Sequence, residues 1–169
     1  MTLEEQIAQL TDQQALSIVA SLSGELGADA GPETEEEQAR VLETALRDKG
    51  WAAAIDLEAA SPDRSGEAAR ELLRLLSDVP EVRDRVAARV AAPPAQEALA
   101  VPMILAAPVV LTGCILLLQV AAHVHFERSS DGTWKVQYDP ARRAPLDDVL
   151  DKVAERLTGV MGWFSKGGA

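Results

Sequence analysis

The run His123-Val124-His125-Phe126-Glu127 is where this sequence comes nearest to a chemical site. On a strand, residues two apart share a face, so His123, His125 and Glu127 would point the same way. Neutral imidazole is the commonest metal ligand, and this spacing brings two rings within reach of one ion. A small metal-dependent enzyme could be built on that face, but no motif elsewhere supplies the rest of a ligand set. The polar side of a half-exposed strand explains the same residues, and it is the reading preferred here: no metal, no cofactor.

Cys114 is the one cysteine, so neither an internal disulfide nor a multi-cysteine metal cluster is available. A catalytic thiol needs a neighbouring base, and no motif ties either histidine to Cys114. Its apolar surroundings suit a small core residue instead. The chain has no G-x-S-x-G, Walker-type loop or G-x-G-x-x-G, and Gly24, Gly27 and Gly31 are wrongly spaced for one. Asp147 and Asp148 sit where a helix start attracts carboxylates, which accounts for them without catalysis. The expectation is a protein that is not an enzyme.

Near the C-terminus, Met161, Trp163 and Phe164 offer a different kind of site, an apolar anchor for a partner. Such residues also close a core at the end of a helix. Charge points to the same class of function. Residues 1–98 hold 20 Asp/Glu against 9 Lys/Arg, a balance of −11, whereas residues 99–169 hold 7 of each. A surface of that sign repels phosphate backbones and anionic lipid, so nucleic acid is not an expected partner. Another protein, or a second copy of the chain, is.

The elements that must position these groups are mainly helical. Thr2 with Glu5, and Thr11 with Gln13-Gln14, have the form of capping boxes. Leu3, Ile7 and Leu10, then Leu16, Val19 and Leu22, hold helical spacing, so one interrupted helix or two short ones are expected over 3–23. Ser23 to Gly31 reads as a loop. A helix over about 32–49 follows, with Pro32 in its first turn, Glu33, Glu35, Glu36 and Glu37 at its positive end, and Val41, Leu42, Ala45 and Leu46 inward. Gly50 and Trp51 suit a Schellman ending. Residues 51–60 are ambiguous between strand and helix, and Ser61-Pro62-Asp63 is a break. Ser65 can cap a helix carrying Leu72, Leu73, Leu75 and Leu76. Asp78-Val79-Pro80-Glu81 ends it and starts another with Val82, Val86 and Val90. Pro93-Pro94 closes an acidic helical region, 1–95, as a separable unit from 96–169, although one composite domain is the other possibility.

From Ala98 to Phe126 no residue carries a formal charge if both histidines are neutral. Pro102 and Pro108 are expected to prevent a continuous helix through the first half, leaving 109–122 as one buried helix. A membrane span over 99–122 is the competing reading. The eleven Val, Ile and Leu residues between Val101 and Ala122 are worth roughly −3 to −7 kcal/mol on an insertion scale. Against it stand Pro102, Pro108, Gly113, Thr112 and Gln119, thin basic flanks and no interfacial Trp or Tyr. A core element is therefore preferred, in a cytoplasmic protein, with the inner membrane as the alternative location. The acidic start Met1-Thr2-Leu3-Glu4-Glu5 has no apolar h-region and does not read as a secretory signal. Arg outnumbers Lys 12 to 4, as suits a GC-rich bacterial genome.

At His123 the apolar period changes from 3.6 to 2. A two-residue Asp131-Gly132 turn would set Phe126 opposite Gln137 and mix the two faces. A three-residue loop, Ser130-Asp131-Gly132 with Gly132 left-handed, pairs Val124 with Tyr138, Phe126 with Val136 and Arg128 with Trp134. The second register is expected. Asp139-Pro140 ends the hairpin, and Pro145 opens a last amphipathic helix whose stripe runs from Leu146 through Val149, Leu150, Val153, Leu157 and Val160 to Phe164. The fold class expected is α+β, mainly helical: an acidic helical region, an apolar segment, a β-hairpin and a closing helix. The function expected is that of an intracellular interaction or accessory protein.

Overall fold

The computed structural model describes residues 1–26, 34–47, 65–93, 106–121 and 125–137. Among them are six helices and one antiparallel hairpin, a mainly helical α+β arrangement: α1 (Leu3–Ala8), α2 (Asp12–Leu26), α3 (Glu35–Arg47), α4 (Ser65–Ser77), α5 (Pro80–Ala91), α6 (Ala106–Ala121), β1 (His125–Arg128) and β2 (Trp134–Gln137). The expectations for 27–33, 48–64, 94–105, 122–124 and 138–169 lie outside the described residues.

Two reciprocal caps divide the N-terminal stretch into two helices. The Thr2 hydroxyl accepts from the Glu5 N–H at 3.2 Å while the Glu5 carboxylate accepts from the Thr2 N–H at 2.7 Å. Thr11 and Gln14 repeat the pattern at 3.2 and 3.0 Å, with Gln14 in the place of the glutamate. Each box satisfies two backbone donors that a helix start leaves open.

Three boundaries differ from expectation. α2 does not stop at Ser23 but runs to Leu26. Ser23 is buried, and its hydroxyl donates back to the Val19 carbonyl at 2.8 Å. Leu26 packs against the core, so burial outweighs the weak helix preference of Ser23 and Gly24. α6 begins at Ala106, not 109, because Pro108 falls in its first turn. There the N–H that proline lacks would have had no helical acceptor. α3 starts at Glu35, and Thr34 caps it: its hydroxyl accepts from the Glu37 N–H at 3.2 Å.

α6 lies at the centre. It packs against α2, α4 and α3, while α1 and α5 close over α4. Val110, Leu111 and the run Cys114–Leu118 are all buried. A helix this apolar must be enclosed by others, and of its described side chains only Val109, Thr112, Gln119 and Val120 are half-buried. One hydrophobic cluster joins Ile7, Leu16, Val19 and Leu22 to Leu42, Leu72, Leu76 and Val86, and these to Leu111, Leu117 and Leu118. Gly113 permits a close approach within this core: a Cβ there would stand 2.7 Å from Val19 Cγ1 and 2.9 Å from Leu72 Cδ1.

Polar bonds orient the helices around this core. Arg70 on α4 donates to the Leu10 carbonyl at 3.1 Å and to the Asp12 carboxylate at 2.8 Å, tying the α1–α2 turn to α4. Gln38 on α3, itself buried, donates to the Thr112 hydroxyl on α6 at 3.2 Å. Pro80 occupies the first turn of α5, behind an extended Val79, and Val82, Val86 and Val90 face inward.

The hairpin has the three-residue loop. Phe126 faces Val136 and Arg128 faces Trp134 across the ladder. Ser129 and Thr133 continue the register, with the Ser129 N–H donating to the Thr133 carbonyl at 2.7 Å. Gly132 has φ +87°. Gly132→Val should therefore destabilise by about 1–3 kcal/mol, the cost of holding a β-branched residue in the left-handed region. A thermal melt checks this, and a variant that melts like the parent would contradict the strain.

Candidate functional site

The His123–Glu127 run reaches the described structure only in part. His123 lies outside it, as does the side chain of His125, while the Glu127 side chain is exposed on β1 opposite Lys135. Among the described residues, no group of three or more His, Cys, Asp or Glu side chains stands close enough to share a metal ion. Met161, Trp163 and Phe164 also lie outside the described residues.

Cys114 is fully buried in α6, in the same cluster as Val110, Leu111 and Leu117. Burial without a compensating charge pushes its thiol up to about 12. The thiolate is the reactive form, so this cysteine is inert while the fold is closed. With a thiol reagent near neutral pH, the native chain should label only as fast as it unfolds, and adding denaturant should release one full equivalent. Rapid stoichiometric labelling of the native chain would show that the α2–α4–α6 packing opens.

The described portion of the uncharged run is a core helix. At 16 residues, α6 spans about 24 Å at 1.5 Å per residue, less than the ~30 Å of a bilayer core. No helix among the described residues is long and apolar enough to cross a membrane.

A concavity with polar groups around it lies elsewhere, where the hairpin meets α3. Glu37, Arg40, Val41 and Thr44 supply one wall, and Gly132, Thr133 and Trp134 the other, around a volume of about 260 Å³. The α3 residues belong together because positions three and four apart share a helix face. Val41 is buried, and Trp134 is partly buried against the core cluster, so the floor is apolar. The ion pairs Asp12–Arg70, Glu71–Arg74 and Glu25–Arg89 hold other parts of the surface. Neither Glu37 nor Arg40 enters an ion pair among the described residues. The Trp134 indole N–H also lacks an acceptor there, and it is closed off from solvent.

The loop wall is braced from within. The Asp131 carboxylate accepts from the Thr133 hydroxyl at 2.7 Å and from the Thr133 N–H at 3.0 Å. These bonds, the hydroxyl first, hold Asp131 below the usual carboxylate range. A depressed carboxylate stabilises above its unfolded pKa, so the bracing fades as pH falls through the folded value.

Sequence reasoning did not find this groove. The helical spacing of Glu37, Arg40, Val41 and Thr44 was visible, but nothing local says that the hairpin docks on that face. Comparison of the chain with protein-family models, with curated proteins and with solved structures gave no match.

Proposed function

We propose that this is a non-enzymatic interaction or accessory protein that meets another protein, or a second copy of itself, through its helical surfaces. The observation that carries this is where the charge lies. Glu4, Glu5, Glu25, Glu36, Glu67, Glu81 and Asp84 are exposed on five helices, in a chain whose net charge is −11. The apolar residues of those helices point inward, and Met1 is the one exposed large hydrophobic among the described residues. Contact through this part of the surface is therefore polar, and it favours a basic partner face.

Tagged full-length protein and a Glu36→Lys, Glu81→Lys variant would be incubated with extract of the native host, at low and at high salt. Light scattering would measure self-association in parallel. A specific partner, or a dimer, that is weakened by salt and by charge reversal supports the proposal. Absence of both, or binding indifferent to salt and to the variant, overturns it. Unchanged melting of the variant would show that any loss is not one of folding.

A further inference from the structure

The groove between α3 and the hairpin combines features that a surface helix does not need for its own stability. Arg40 and Glu37 stand one helical turn apart with opposite charge, and neither is spent on an ion pair among the described residues. A pair three apart on a helix attracts by only about 0.2–0.5 kcal/mol, so either group can turn to a ligand at little cost. Between and below them lie Val41 and the Trp134 ring, an apolar floor, with the Thr44 side chain at the edge. The Thr44 hydroxyl donates to the Arg40 carbonyl at 2.9 Å and keeps its lone pairs for a further donor.

From this we propose that the groove binds a free amino acid with an apolar side chain. Its carboxylate lies on the Arg40 guanidinium, whose fork of donors matches two oxygens. Its ammonium lies towards Glu37, one turn N-terminal to Arg40. Its side chain covers Trp134 and Val41. The volume of about 260 Å³ is enough for a molecule of that size. A peptide would present only one of its two charges at either end, so it matches half of the polar pair. The indole N–H, being closed off from solvent, takes no part in binding. The proposal is independent of the protein-interaction reading: the acidic helical surface is unchanged whether or not the groove is filled.

L-Leucine and L-methionine are the probes, titrated into the full-length chain and followed through the Trp134 indole resonance, assigned with a Trp134→Phe variant. A site this open should bind at millimolar strength, about −4 kcal/mol. A saturable shift is expected with both amino acids. N-acetyl-leucine, which lacks the ammonium, and leucinamide, which lacks the carboxylate, should each bind at least about tenfold more weakly. Arg40→Gln and Glu37→Gln should each abolish saturation, whereas Arg85→Gln on α5, also exposed, should not. No saturable shift through the millimolar range overturns the proposal. So does equal response to leucine and its two singly charged derivatives, or binding that survives both α3 substitutions.

Discussion

Gly113→Leu should lower the thermal midpoint sharply, and Gly113→Ala much less, because α6 has no room for side-chain atoms at that position. Even a Cβ would stand 2.7 Å from Val19 Cγ1 and 2.9 Å from Leu72 Cδ1. Val19 is β-branched and stiff at χ1, and both residues are fully buried, so neither yields freely. Overpacking of this kind costs about 1–3 kcal/mol. For alanine, a helix-propensity gain of about 1 kcal/mol offsets part of it. For leucine, three further carbons enter a filled space and the cost should exceed about 3 kcal/mol. Leu72→Ala, taken alone, should cost about 3–5 kcal/mol through the cavity it leaves. The decisive measurement is the double variant Gly113→Ala, Leu72→Ala. Removing the leucine opens space for the new methyl, so denaturant unfolding should show less than the sum of the two losses. Strict additivity would mean that α6 and α4 do not meet at Gly113.

The second large effect concerns the charge boundary near residue 95. Composition there suggests that residues 1–95 form a unit of their own. The packing places α6, from beyond that boundary, between α2, α3 and α4. Leu16, Val19, Leu22, Leu42, Leu72 and Leu76 share one cluster with Leu111, Cys114, Leu117 and Leu118. A 1–95 fragment would expose those apolar faces to water, at a cost of about 25 cal/mol per Å² uncovered. Helical circular dichroism should partly survive, since the caps at Thr2 and Thr11 are local. The cooperative melt of the full chain should be lost, and hydrophobic-dye binding should rise. A fragment that melts cooperatively and binds no dye would show that residues 1–95 are a separable unit.

What could be read from residues alone was whatever depends on neighbours a few positions apart. The Thr2–Glu5 box, the start of α5 at Pro80, the inward Val82, Val86 and Val90, and the hairpin register all rest on local geometry with a fixed period. The loop Ser130-Asp131-Gly132 followed because only one register keeps Phe126 beside Val136, and a slip by one residue turns every side chain over. The charge imbalance that motivates the interaction proposal is likewise a property of sequence. Tertiary structure decided the rest. Ser23 and Gly24 remain helical because α2 extends its buried face to Leu26, a gain that no local propensity records. Pro108 is harmless because the first turn of α6 happens to include it. Gln38 is buried because α6 brings Thr112 opposite it. The groove exists because the hairpin docks on the Glu37–Thr44 face of α3, a contact between segments some ninety residues apart. Periodicity states that a helix has an inner face, but the partner of that face is fixed only when the whole core closes.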